Sequence, residues 1–244
     1  MKSVFKEQID YSRIYDIYND YIKSRRISRV LEYVEDKKRV LDIGCSFGYV
    51  SYYLAKKRHC TVDAFDINAE RISIAQKHFK DKRIKYHDKN ILLTKKRDYY
   101  DYIIFLEVVE HVENPYEFLS FLLLLLKPGG YLIVSTPNAN DYLQNIRNIR
   151  LFTKRSRHNI ADRISVNNKV KYGDMDDHLY NWTWDTFFRL LDRVGFEYIE
   201  SDIVAFNSIS YGNFHLFNGS LLPFEYVFKP FCSDLIFKVR KPLK

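Results

Sequence analysis

Cysteine is scarce and scattered. Three residues in 244 (Cys45, Cys60, Cys232) are too few and too far apart for a disulfide framework, and a reducing, cytoplasmic setting is expected. The N-terminus, "MKSVFKEQIDYSR", lacks an apolar h-region, so no secretory signal is expected. Long hydrophobic runs are also missing. The longest, "FLSFLLLLL" at 118–126, is about half of a bilayer span, and it reads as a buried helix, with no integral membrane segment expected. Internal repeats and low-complexity segments are absent, which removes solenoids and disordered linkers as readings.

What is present fits one globular domain. Apolar residues make up 46% of the chain and aromatic residues 16%, enough for a sizeable core. The net charge is +8. Part of it is concentrated in "RNIRLFTKRSRH" (147–158), which contains Arg147, Arg150, Lys154 and Arg155. Such a stretch is either a solvated surface loop or a contact for phosphates or acidic sugars, and it leaves RNA open as a partner.

Strand and helix signals alternate along the first half. Residues 10–35 carry Tyr11, Ile14, Tyr15, Tyr18, Tyr21 and Ile22 at helical spacing. Strands are expected at 39–43, 60–67, 84–88, 101–108 and 131–136. Helices are expected at "GYVSYYLAKK", at "NAERISIAQKHF" with Asn68 as N-cap, and at 115–127, stopped by "PGG". Consecutive apolar residues in these strands predict a parallel sheet covered on both faces, a Rossmann-like doubly wound α/β fold. The expected organisation is an N-terminal helical segment (1–37), a cofactor-binding core (38–137), a polar, basic cap or insertion after the fifth strand (138–181), and the rest of the sheet (182–244). The last part holds a helix at 183–196 ended by Gly195 and two further strand candidates, "EYIESDIVAF" and "SDLIFKVRK".

The turn "VLDIGCSFGYV" (40–50) follows the first strand. In an open doubly wound sheet the ligand lies at the carboxyl ends of the strands. The dinucleotide fingerprint G-x-G-x-x-G would need glycine where Asp42 and Phe47 stand, so two of its three glycines are missing. The Asp42 carboxylate would also repel a pyrophosphate. A ligand welcomed by Asp42 carries positive charge or donors and no phosphate, and S-adenosylmethionine fits that description. Gly44 and Gly48 would let the backbone approach its methionine part. Asp66 ends the next strand, 24 residues after Asp42, where an acid accepts from both ribose hydroxyls. Asp88 ends the third strand, where a carboxylate accepts from the adenine amino group.

These motifs carry a resemblance. "VLDIGCSFGYVSYYLA" resembles the first motif of class I S-adenosylmethionine-dependent methyltransferases, and "DAFDIN" their ribose-binding segment. "YDYIIFLEVVEHVENPYEFLSFLLLLLKPGGYLIVSTPN" and "DHLYNWTWDTFFRLLDRVGF" resemble the subgroup that includes the ubiquinone-pathway O-methyltransferases. The resemblance implies a seven-stranded sheet with its last strand antiparallel, "SDLIFKVRK" being an edge or penultimate strand. It also implies that Cys45, Ile67, Asn90 and Leu106 join Asp42, Gly44, Gly48, Asp66 and Asp88 around the cofactor.

After the fourth strand, "LEVVEH" (106–111) lacks the N-P-P-[YF] tetrad of the methyltransferases that act on nucleic-acid amino groups. An oxygen acceptor on a small molecule, glycan or lipid-linked precursor is therefore expected. A hydroxyl acceptor needs a base or a metal to take its proton. Glu107, Glu110 and His111 stand at i, i+3 and i+4, which on a helical turn is one face. His111, oriented by a glutamate and paired with Glu107 in the catalytic set, reads as the base. Alternatively Glu107, Glu110, His111 and the distant His178 hold a divalent ion, or Glu110 and His111 only brace the turn. Similar sets occur in RNA 3′-end 2′-O-methyltransferases, so metal-assisted RNA 2′-O-methylation is the alternative activity, and a catalytically silent binding subunit is the third. Trp182, Trp184, Phe187 and Phe188 read as core packing or an acceptor wall.

Overall fold

Helical spacing at the N-terminus resolves into two helices, α1 (Ile14–Lys23) and α2 (Arg25–Glu32), because Ser24 turns extended with ψ 143°. The computed structural model describes residues 13–140, 178–206, 210–211, 214–215 and 232–243. The chain divides into two compact units, Met1–Thr94 and Lys95–Lys244.

In the first unit, β1 (Arg39–Ile43), β2 (Thr61–Phe65) and β3 (Ile84–His87) are parallel, with β2 in the middle and Ile43, Phe65 and His87 in register. Helices α3 (Tyr49–Arg58) and α4 (Ala69–His78) connect them. Asn68 caps α4 as expected, its side chain accepting from the amides of Glu70 and Arg71. α1 covers this unit with Tyr18, Tyr21 and Ile22, packed on Tyr49 and Phe79. Because the three strands run the same way in register, Asp42, Asp66 and Asp88 all fall at their carboxyl ends.

In the second unit, β4 (Tyr100–Leu106) is parallel to β5 (Leu126–Pro137). A single 3-10 turn (Val109–His111) and α5 (Pro115–Leu125) lie between them. α5 ends two residues earlier than the expected helix at 115–127. Leu126 turns extended and pairs with Tyr100, so β5 begins before the Pro-Gly-Gly. α6 (Trp184–Val194) is closed at its N-terminus by a Thr183/Thr186 capping box and at its C-terminus by Gly195 at φ +104°, a conformation glycine adopts without strain. β6 (Glu197–Phe206) and a two-residue ribbon, β7 (Ser210–Tyr211) with β8 (Phe214–His215), precede β9 (Cys232–Arg240). β9 runs antiparallel to both β5 and β6.

Within the first unit the strands stand in the order β3-β2-β1, and within the second in the order β4-β5-β9-β6. "SDLIFKVRK" is thus the penultimate strand and the last in the chain, antiparallel as the resemblance implied. Residues 141–177, including the basic stretch 147–158, lie outside the described residues. Among the described residues no helix is long and apolar enough to cross a membrane.

Candidate functional site

The first unit builds a tight turn after β1. Gly44, Ser46 and Gly48 have φ of +74°, +49° and +78°. Ser46 holds this left-handed backbone without being glycine, and its amide donates to Asp66 Oδ2 at 2.8 Å. The amides of Gly44 and Cys45 donate to the Phe65 carbonyl (2.8 and 3.0 Å), and the Gly48 amide donates to the Cys45 carbonyl (2.8 Å). These four donors are consumed inside the turn. They do not form the open amide nest that a phosphate requires, so the local geometry agrees with a phosphate-free ligand.

Asp42 is buried at 4% exposure. Its Oδ2 accepts from Ser51 Oγ at 2.5 Å. Burial pushes its carboxyl up to about 6, with the Asp66 charge adding to the effect and the Ser51 hydrogen bonds opposing it. Asp66, just past β2, accepts from Ser46 through Oδ2 and from the Asn68 amide through Oδ1 (2.8 Å). Each of its oxygens keeps a lone pair for a ligand hydroxyl. The neighbouring Ile67 is 87% exposed, an apolar side chain open to a flat ligand face. Asp88 is exposed. Asn90 is committed locally, its Oδ1 accepting from the Leu92 amide (2.9 Å) and capping a short 3-10 turn (Ile91–Leu93).

Gly48 has a different explanation from close ligand approach. A Cβ there would lie 2.5 Å from Tyr86 Oη and 2.8 Å from its Cε1. The glycine makes room for the Tyr86 ring, whose hydroxyl donates to the Phe79 carbonyl (3.0 Å). Burial pushes the Cys45 thiol up, so it packs and does not react.

The second unit holds the Glu/His cluster. Leu106, the partly exposed last residue of β4, is followed by Glu107 at φ +53°. That left-handed residue interrupts the helical turn on which Glu107, Glu110 and His111 would share a face, and only Val109–His111 are helical. The two glutamates separate. Glu107 accepts from Ser135 Oγ (2.7 Å), while the fully buried Glu110 accepts from Thr136 Oγ1 (3.2 Å). The Glu110 carbonyl accepts from the amides of Leu179 (2.8 Å) and Tyr180 (3.3 Å), which brings His178 alongside. The rings of His111 and His178 meet edge to face, 4.7 Å apart. His111 Nε2 lies 3.9 Å from Glu110 Oε1, so the glutamate beside the histidine is Glu110.

One ligand atom each from Glu110, His111 and His178 lies within 4.8 Å of the others. Metal ligands about 2.0–2.2 Å from a shared ion sit roughly 3–4 Å apart. These three residues are therefore the candidate divalent-ion ligands, without Glu107. Of the four aromatic candidates, Trp184, Phe187 and Phe188 are structural. Trp184 stacks on Phe188 (5.1 Å) and donates to Ser201 Oγ (2.8 Å), and Phe187 packs on Phe237 (5.4 Å). Trp182 stacks on Tyr180 (5.3 Å). Ser51, Tyr86, Ser135 and Thr136 escaped sequence reasoning. Their partners lie on other elements, and a lone hydroxyl gives no pattern.

The methyltransferase-domain family matches residues 15–201, more than half of the chain. The ubiquinone biosynthesis O-methyltransferase of Coxiella burnetii is 36% identical over 118 residues, which covers 45% of this chain and 50% of that protein. The chain spans about half the length of the curated relatives it matches. A chain of the solved complex between the Haloferax volcanii Trm112 methyltransferase activator and a methyltransferase superposes with TM-score 0.63 at 17% identity, covering 95% of this chain and 96% of that one. A Listeria monocytogenes protein described as an S-adenosylmethionine-dependent methyltransferase gives 0.62 at 15% identity, covering 88% and 96%. At these identities the two structures speak to the fold alone. The family match joins a phosphate-averse turn, an acid at each of three successive parallel strand ends and a β9 antiparallel to both its neighbours, and the chain belongs to the methyltransferase-domain family.

Proposed function

We propose that the protein methylates an oxygen of a small molecule, sugar or lipid-linked precursor in the cytoplasm, with His111 taking the acceptor proton. The carrying observation is the half-exposed His111 imidazole beside the buried Glu110 carboxylate and edge-on to His178. S-adenosylmethionine, when bound, supplies a methyl group activated by a sulfonium. The chain's own tasks are to orient and to move one proton. In the first unit Asp66 accepts from the ribose, Ile67 and Asp88 meet the adenine, and Asp42 supplies negative charge. In the second unit Glu110, 3.9 Å from His111 Nε2, orients the imidazole that takes the acceptor proton. The ubiquinone biosynthesis O-methyltransferases among the matched relatives support an oxygen acceptor, and the absence of disulfides among the three cysteines supports a reducing compartment.

A second reading places a divalent ion on Glu110, His111 and His178, favoured by their convergence within 4.8 Å. The ion would lower the acceptor hydroxyl's pKa, and RNA 2′-O-methylation is the activity that goes with it.

One set of variants separates the readings. If His111 is the base, His111→Ala lowers turnover by about 10²–10⁴-fold, cofactor affinity stays near wild type, and the wild type works in chelator. If the metal reading holds, calorimetry detects zinc or manganese binding that His178→Ala abolishes, and chelator silences the wild type. Full activity of His111→Ala in chelator refutes both. Salt-sensitive RNA binding, lost on charge reversal of Arg147, Arg150, Lys154 and Arg155, would move the acceptor to RNA.

A further inference from the structure

We infer that Ser51, in the first turn of α3, is a positioning residue for cofactor binding, because it fixes the Asp42 carboxylate in the charged form that attracts the cofactor's cationic methionine end. The inference rests on the reading of the β1 turn as the cofactor cradle. Ser51 is the third residue of α3, and Asp42 is the fourth residue of β1. The Ser51 hydroxyl donates to Asp42 Oδ2 at 2.5 Å, and the Ser51 backbone also hydrogen-bonds that carboxylate. Asp42 thus closes the N-terminus of α3 from a separate strand, where the helix dipole favours a negative charge. Gly48, at the helix's own N-cap position, has no side chain to do so.

Both partners are sealed. Ser51 is 0% exposed and Asp42 4% exposed, so water cannot stand in for a lost bond. The titratable groups acting on Asp42 from the packed elements of this unit are Cys45 of the turn, Asp66 after β2 and Tyr86 of β3. Burial pushes the Cys45 thiol and the Tyr86 phenol up, so both are neutral near physiological pH, and Asp66 opposes the Asp42 charge. None of the three favours ionised Asp42, whereas Ser51 does. A cationic ligand favours the ionised form too, so cofactor binding and Asp42 ionisation are linked, with affinity falling as pH drops through the Asp42 transition.

The experiment is calorimetry of S-adenosylmethionine and S-adenosylhomocysteine on the full chain between about pH 5.5 and 8.5. For Ser51→Ala the affinity midpoint moves to higher pH. S-adenosylmethionine binding is about tenfold weaker near pH 6.5 and returns to within about twofold of wild type near pH 8.5. S-adenosylhomocysteine shows the same pattern, since it retains the ammonium. Ser51→Cys keeps the volume with a weaker donor and serves if the alanine variant does not fold; its shift has the same sign and is smaller. In Asp42→Asn the low-pH transition disappears, and adding Ser51→Ala changes affinity no further. A pH-independent loss in Ser51→Ala, or a profile identical to wild type, overturns the positioning role while leaving the cradle intact. Failure of the wild type to bind either compound at any pH overturns the cradle itself.

Discussion

Replacing Asp42 by Asn is expected to stabilise the unliganded protein while weakening its grip on the cofactor. Asp42 is buried in β1 with its carboxyl held up to about 6 from 3.8, chiefly by desolvation. A shift of about 2 pKa units at roughly 1.4 kcal/mol per unit makes the ionised group cost the folded state about 3 kcal/mol. Because the folded-state value is the raised one, the penalty is absent below about pH 4, where Asp42 is protonated in both states. It grows as pH rises and is complete above about pH 6. Asparagine carries no charge at any pH and still presents an oxygen to the Ser51 hydroxyl, and the stronger Ser51 hydrogen bonds of the ionised form are already contained in the shift. The net gain near pH 7.5 is therefore about 3 kcal/mol, or roughly 6–12 °C in Tm for a domain of this size. The assay is thermal unfolding of wild type and Asp42→Asn across about pH 4–8, with calorimetric titration of S-adenosylmethionine at the top of the range. A Tm below wild type at neutral pH, or a gain that persists undiminished near pH 4, would refute the reasoning. The sign matters because it makes Asp42 a group kept at the expense of stability, as functional acids often are.

Two further outcomes follow from the turn. Asp66→Ala removes the acceptor proposed for the ribose and also the partner of the Ser46 and Asn68 amides. It should weaken S-adenosylmethionine binding by at least about tenfold, at about 1.5–3 kcal/mol per hydrogen bond to a charged group, and lower the Tm of the unliganded protein; unchanged affinity in a folded variant would remove Asp66 from the site. Gly48→Ala combines a left-handed backbone with a Cβ placed 2.5 Å from Tyr86 Oη, for an expected loss of about 2–4 kcal/mol in denaturant unfolding. In a Tyr86→Ala background the same change should cost only the backbone part, about 1–2 kcal/mol, and an undiminished cost there would show that Tyr86 is not what Gly48 accommodates.

Much of this architecture is local and was therefore legible in the linear chain. Consecutive apolar residues mark β4 and β5 because strands buried on both faces have no polar side to show. Asn68 and Gly195 announce helix ends because capping is decided within a few residues. The acids at 42, 66 and 88 could be aligned because parallel strands in register carry equal positions to the same end of the sheet. Folding alone decided what depends on contacts between distant segments. Spacing put Glu107 on one face with Glu110 and His111, but the left-handed backbone at Glu107 and the hydroxyls of Ser135 and Thr136 separate the two glutamates. Gly48 suggested a ligand's close approach until Tyr86, 38 residues later, was seen to occupy the space. Ser51 looked like an ordinary helix residue, because its meaning lies in a carboxylate on another element. Periodicity records which face of an element is buried; which polar group meets which across the fold is set by strand order and by close packing, and neither is written in any short stretch of the chain.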